Sequence, residues 1–444
     1  MKKLNRLIAA LLAAALAGGI TACGSGTSSP AASDDTVSNN TGSVLSATST
    51  DLYVEPVANI SDDFIRGMDA SSVLVCENSG VTYYNYEGEK QDVFMTLAQS
   101  GVNYIRLRVW NDPYDENGNG YGGGNNDVAT AIELGKRATK YGMKVCIDFH
   151  YSDFWADPKR QHAPKAWEGM NGDEKCDALY EFTKESLTKI LDAGVDVGMV
   201  QIGNEINNGM AGETLLPTVM NLLKSGSRAV REISETYGKD IQVAVHYTNI
   251  KQNGEIDRMA SNLSSSGVDY DILALSYYPF WDGTIENMQA VAKQVQKKYG
   301  KKVVIAETSY CYTSEDGDGF GNSFAGTDDE LADGYPATVQ GQADMIRDIC
   351  AAANEAGAIG VFYWEGTWIP VGKAAEDNSP LWEKFGSGWA SSYSADYDPD
   401  DAGLYYGGCS WDNQAMFDFD GYPLASLNVF KYLKHGLNAP LADN

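Results

Sequence analysis

The sequence predicts a single α/β domain, a (β/α)8 TIM barrel. Three observations carry this reading. Eight short apolar segments, each closing on polar or aromatic residues, recur between residues 64 and 366. Stretches of helical period separate most of them. Glycine stands at the return from helix to strand, at Gly101, Gly142, Gly194, Gly238, Gly300 and Gly357, as a helix C-cap requires. Strand–helix units in one run, with the chemistry gathered at strand ends, describe a barrel whose carboxyl face holds the site. A doubly wound open sheet would need a glycine-rich phosphate loop after its first strand, and Gly67-Met68-Asp69-Ala70 is not one.

Taken in order, the strands are expected at 64–70, 103–110, 144–151, 199–206, 242–249, 272–279, 302–310 and 359–366. Helices are expected at 91–100, 128–141, 176–193, 215–237, 285–299 and 338–356, and 426–435 is expected as the eighth barrel helix. Two loops are long: 112–126 is rich in Gly and Asn, and 313–336 is rich in Gly and Asp. Both follow strands, which places them on the active face, and long loops in a compact domain are commonly functional.

The chain ahead of the barrel has its own composition. A basic start, Met1-Lys2-Lys3 and Arg6, precedes an Ala/Leu run, the pattern of a secretory signal. Ile20-Thr21-Ala22-Cys23 resembles the bacterial lipoprotein cleavage box, which implies cleavage before Cys23 and lipid on it. Residues 24–60 are rich in Ser, Thr, Ala, Asn and Asp and read as a flexible tether. The expected division is a signal over 1–22, lipidated Cys23 and tether over 23–60, and the barrel over 61–440. This places the protein at the cell surface, touching the membrane only through its lipid, and a monomer is expected.

The whole chain of 444 residues carries a formal charge of −28. Such a chain repels nucleic acid and anionic lipid, whereas a neutral polymer suits it. None of the seven cysteines forms a CxxC pair, and four histidines are too few for a poly-His centre, so zinc is not expected.

Two strands end in glutamate. Met199-Val200-Gln201-Ile202-Gly203-Asn204-Glu205 closes the fourth, and Val303-Val304-Ile305-Ala306-Glu307 the seventh. A carboxylate at the tip of a buried strand costs free energy unless it is paired or used. Two that meet in one mouth supply the acid/base and the nucleophile of glycoside hydrolysis. A structural ion pair explains either one alone, but explains the pair poorly. Asn204 offers a hydrogen bond to a sugar hydroxyl. Arg106 and Arg108 lie on strand two, where one is expected to face inward and keep the nucleophile ionised. His246, Tyr278 and Trp364 close strands five, six and eight, and aromatics at a sugar site present flat apolar faces.

Several segments together resemble the family 53 endo-β-1,4-galactanases. They are Gly67 to Ser72, Arg106 to Pro113, Asp148 to Pro158, Gln201 to Glu205, and Glu307 to Tyr310. The resemblance implies retaining hydrolysis of β-1,4-galactan in type I arabinogalactan, with Glu205 as acid/base and Glu307 as nucleophile. Asp69, Asp153, Trp155 and Asp157 join the expected substrate contacts. Glu315-Asp316-Gly317-Asp318-Gly319-Phe320-Gly321-Asn322 offers hard oxygen ligands suited to Ca2+. Bacterial family members resemble this, with calcium held by such a loop and by a segment matching Cys409-Ser410-Trp411-Asp412. The expected ligands are Asp316, Asp318, the Phe320 carbonyl, Asn322, the Cys409 carbonyl and Asp412. Other readings stay open at this point: a mannanase, xylanase or glucanase on the same barrel, a non-catalytic glycan-capture lipoprotein, or a metal-dependent hydrolase.

Overall fold

The computed structural model describes residues 52–437. The expected signal peptide and Cys23 lie outside the described residues. Eight parallel strands close in sequence order into a barrel. They are β1 (Ile65–Asp69), β2 (Tyr104–Val109), β3 (Lys144–Phe149), β4 (Val197–Ile202), β5 (Gln242–Tyr247), β6 (Ile272–Ser276), β7 (Lys302–Glu307) and β8 (Gly360–Tyr363). Between them run α1 (Val73–Asn78) and α2 (Val93–Gln99) after β1, then α3 (Val128–Lys140), α4 (Gly172–Asp192), α5 (Leu216–Tyr237), α6 (Glu255–Ser266), α7 (Ile285–Tyr299) and α8 (Val339–Ala356). Short helices α9 (Ser379–Phe385) and α10 (Val429–Tyr432) follow β8.

The strands fill two layers of core. Inward residues Ile65, Tyr104, Cys146, Met199, Ala244, Ile272, Ala274, Val304, Ala306 and Phe362 plug the amino half of the barrel. The opposite strand faces pack on the helices in a far larger apolar layer. Helix α4 starts on a capping box, in which Asn171 accepts from the Glu174 backbone and the Glu174 carboxylate accepts from the Asn171 N–H. Such a cap contributes roughly 1 kcal/mol.

Three expectations need correction. Helix α6 was not expected, although Ile256, Met259, Ala260 and Leu263 recur at helical spacing and are buried. The expected 426–435 helix is a 3-10 turn over Ala425–Asn428 followed by the single turn of α10. Residues 52–60, assigned to the tether by composition, belong to the folded body. Leu52, Val54, Val57 and Ile60 are buried, and Val54 exchanges both backbone hydrogen bonds with Leu437 at 2.9 Å. Four spaced apolar residues dock that segment on the flank of the barrel, where Gln340 and Asn354 of α8 hold the Tyr53 and Ala58 backbone.

Candidate active site

The carboxyl half of the barrel interior is polar and almost wholly buried. Residues two apart on a strand share a face. Arg106 and Arg108 therefore both point inward, where only one was expected to, and each is 1% exposed. Asp148, Gln201, His246 and Ser276 join them from β3, β4, β5 and β6.

Glu307 reaches this interior through a bulge. Leu275 pairs with Ile305 while Ser276 pairs with Glu307, leaving Ala306 as the additional residue. The bulge reverses strand parity, so Ala306 and Glu307 both serve the inner face, as a bulge beside a site commonly does. Glu205 arrives differently. Strand β4 ends at Ile202, and the chain turns through Gly203 at φ +88° and Glu205 at φ +45°. A Cβ on Gly203 would also stand 2.7 Å from Ile206. A left-handed glutamate is a strained conformation of the sort found at functional sites.

Ser276 Oγ joins the two glutamates. It donates to Glu205 Oε1 at 2.7 Å and lies 3.5 Å from Glu307 Oε2. The two oxygens are therefore at most about 6.2 Å apart, short of the ~6.5–9.5 Å that an inverting glycosidase needs to seat a water between its carboxyls. His246 Nε2 supports Ser276 Oγ from behind at 2.9 Å.

The electrostatics distinguish the pair. Burial pushes Glu205 well above the usual carboxylate range, and the charge of Glu307 pushes it further. Burial raises Glu307 as well, and with Asp148 and Asp69 keeps it above its ordinary value, but Arg106 and the Tyr278 hydroxyl oppose that rise, a counterweight of positive charge that Glu205 lacks. Arg106 Nη1 lies 2.8 Å from Glu307 Oε1, and Tyr278 Oη donates to Oε2 at 3.0 Å. Arg106 also contacts Asp69 at 3.2 Å and Asp148 at 2.8 Å, and donates to Asn204 Oδ1 at 2.9 Å. Burial raises Asp148, but Arg106, His150 and His246 together outweigh it and leave the carboxyl below its ordinary value. Burial holds His246 neutral, and Arg106 adds to that effect. Glu205 is thus the carboxyl that keeps its proton, and Glu307 the one held ready as an anion.

The remaining expected contacts separate into three groups. Half-buried Trp155 and Trp364 form an aromatic wall backed by buried Trp368 and Trp411, their centroids 4.7 to 6.4 Å apart. Asn204, His246 and Asp69 are buried and act through neighbours; Asp69 accepts from Ser71 and Arg106. Asp153 and Asp157, expected against substrate, are committed elsewhere. Asp153 accepts the N–H groups of Asp112 and Lys165, and Asp157 pairs with Arg160. Both brace the loop after β3, which a polar-rich segment read as sequence does not disclose.

Sequence reasoning passed over Ser276, Gln201 and Glu365. Ser276 stands two residues before Tyr278, near enough along the strand to suggest a shared face. Glu365 is a third glutamate at a strand end, directly after Trp364.

A second carboxylate cluster lies in the loops after β7 and β8. Oxygens of Asp316, Asp318 and Asp412 lie within 4.8 Å of one another. Among the described residues no lysine or arginine pairs with them. Burial raises Asp318 to about 7, and burial plus the Asp318 charge raises Asp412 well above its ordinary value. Asn322 donates to Asp412 Oδ1 at 2.8 Å, while its own Oδ1 is buried without a hydrogen-bond partner. Three oxyanions and an unsatisfied amide oxygen suit a hard cation. Phe320 and Cys409 turn their N–H groups to Asp318, at 3.0 and 2.7 Å.

Comparison with known proteins agrees with this geometry. The model of glycosyl hydrolase family 53 matches residues 65–430. The chain is 56% identical over 390 residues to an endo-β-1,4-galactanase of Bacillus subtilis, covering 87% of this chain and 90% of that protein. It is 32% identical to an arabinogalactan endo-β-1,4-galactanase of Cellvibrio japonicus, covering 79% and 91%. Among solved structures, the catalytic domain of an Ignisphaera aggregans family 53 protein aligns with a TM-score of 0.77 at 38% identity, covering 86% of this chain and all of that one. A barrel with paired strand-end glutamates, matched along nearly all of its described length, belongs to glycosyl hydrolase family 53.

Proposed function

We propose that this chain is an endo-acting, retaining β-1,4-galactanase that cleaves the galactan of type I arabinogalactan. Glycoside hydrolysis is the activity, and galactan is the substrate of its named relatives. The observation that carries the retaining mechanism is the Ser276 hydroxyl within reach of both glutamates. In the first step Glu205 protonates the leaving oxygen while Glu307 attacks the anomeric carbon. In the second, water activated by ionised Glu205 releases the sugar from Glu307. Arg106 and Tyr278 hold the attacking oxygens of Glu307 in place. The half-buried tryptophans offer flat faces to the sugar rings.

The carboxylate cluster is proposed as a structural Ca2+ site held by Asp316, Asp318, Asp412 and the Asn322 amide oxygen, with carbonyls of Phe320 and Cys409 as the expected complement. The cation would supply the missing positive charge and pin two loops together. Lipid on Cys23 is proposed to hold the enzyme at the cell surface as a monomer.

The test is reducing-sugar release from linear β-1,4-galactan, beside Glu205→Gln and Glu307→Gln. Activity in the parent that both variants lose supports the reading. Activity on mannan, xylan or glucan alone would redirect the substrate assignment, and galactan binding without cleavage would overturn catalysis.

A further inference from the structure

We propose that Glu365 is a positioning residue that, through Arg108, sets the tryptophan wall of the cleft; this rests on the glycosidase reading above. Glu365 is fully buried and adopts φ +48°, one of the few non-glycine residues there in the left-handed region. One of its oxygens takes the Ser72 hydroxyl at 2.7 Å, and the other pairs with Arg108 Nη1. Arg108 Nη2 donates to the Gly123 carbonyl at 2.7 Å. Hydrogen bonds from both terminal nitrogens lie in the guanidinium plane and fix its orientation.

A fixed plane leaves the π face for stacking, and the Trp155 ring occupies it with its centroid 4.2 Å from Arg108 Cζ. Trp155 then packs on Trp364 and Trp368 and donates to the Trp389 carbonyl at 2.8 Å. Gly123 completes the clasp. A Cβ there would stand 2.8 Å from the Trp155 ring, and its N–H donates to the Gly388 carbonyl at 2.7 Å. One buried ion pair therefore joins the loops that follow β2, β3 and β8. Glu365 pairs with Ser72 and Arg108 rather than with Glu205 or Glu307, and the 3.8 Å approach of Arg108 to Asp69 is looser than its hold on Glu365, so the leverage of Glu365 falls on the wall. A lysine at 108 would keep the charge but lose the planar face and the second in-plane bond.

The experiment compares Glu365→Gln, Arg108→Lys and Trp155→Phe, with Glu365→Gln also placed in the Trp155→Phe background. Kinetics on linear β-1,4-galactan oligomers and near-UV circular dichroism without glycan are read for each. Glu365→Gln is expected to raise KM roughly tenfold with kcat held within about threefold, the mark of lost binding rather than lost chemistry. Arg108→Lys should follow it. In the Trp155→Phe background the same change should add less than about twofold, because residues acting as one unit are not additive. The near-UV tryptophan signal should change in Glu365→Gln while the far-UV spectrum does not. A fall in kcat at constant KM, or full multiplication of the Glu365 and Trp155 effects, would overturn the proposal. Should Glu365→Gln not fold, Glu365→Asp, which keeps the charge and shortens the reach, carries the same kinetic expectations. A parent inactive on galactan refutes the functional reading, while the glycan-free spectra still decide the clasp.

Discussion

Two carboxylate clusters share the loop face of this barrel, and they resolve like-charge crowding in opposite ways. Around the reaction centre, Asp69, Asp148 and Glu307 surround Arg106, and Glu365 pairs with Arg108. The countercharge there is covalently part of the chain. Around Asp318, three carboxylates meet with no basic side chain paired to them among the described residues. Their countercharge has to come from protons or from solution. The first arrangement is rigid and insensitive to the medium, which suits groups that must keep fixed proton affinities. The second makes loop order conditional on what the medium supplies.

The largest expected effect breaks the first cluster at its function. Glu307→Gln should abolish galactan cleavage, and Glu205→Gln should lower turnover by about 10²- to 10⁴-fold, the usual worth of a positioned acid/base. Initial rates with folded protein, checked by circular dichroism, decide both. Next, Arg106→Met removes the one guanidinium that Asp69, Asp148 and Glu307 share. Removing one member of a buried ion pair costs about 3–5 kcal/mol, so urea unfolding should show a loss of that size.

The second cluster should respond to the medium instead. Calcium is expected to raise the unfolding temperature, a strong chelator to lower it, and Asp318→Asn to erase most of the difference. The pH dependence sharpens this. The folded-state Asp318 pKa of about 7 stands above its ordinary 3.8, so the folded state holds the proton more tightly. Without cation, stability contributed by that proton is present below pH 3.8 and is lost as pH rises toward about 7. Bound calcium should flatten that slope, and thermal scans across this window test it.

The smallest effect is also the most diagnostic. Asp412→Asn should modestly stabilise the chelated protein, by roughly 0.5–1 kcal/mol, because it removes an uncompensated charge. The same substitution should destabilise the calcium-loaded protein. A loss of stability in both states would mean that Asp412 is needed for its hydrogen bonds to Gly317 and Asn322 rather than for charge.

Legibility in the sequence followed period and position. Eight recurring apolar runs with helical stretches between them, and glycine caps, disclosed the barrel, and the two glutamates were legible because each ended an apolar run. What escaped were features that need two strands at once. The Ala306 bulge that turns Glu307 inward exists only in the register between β6 and β7. Ser276 gains meaning only from what faces it. Asp153 and Asp157 look alike as sequence to residues that touch a sugar, and only their partners Lys165 and Arg160 show them to be braces. Helix α6 was legible in its four well-spaced apolar residues, although its serine-rich end has the composition of a loop.

The pairing of Val54 with Leu437 has a further consequence for how the chain can be shortened. Residues 52–60 lead directly into the amino end of β1, and Arg347 and Asn354 of α8 hold that segment by hydrogen bonds to the Glu55 and Ala58 carbonyls. Tyr53 exchanges hydrogen bonds with the Gln340 side chain at the amino end of α8, so residues 53–58 run as a strap along that helix on the flank of the barrel, with Leu437 paired beside them. A chain shortened to begin at residue 61 would lose this strap and bare the apolar surface that Leu52, Val54, Val57 and Ile60 cover.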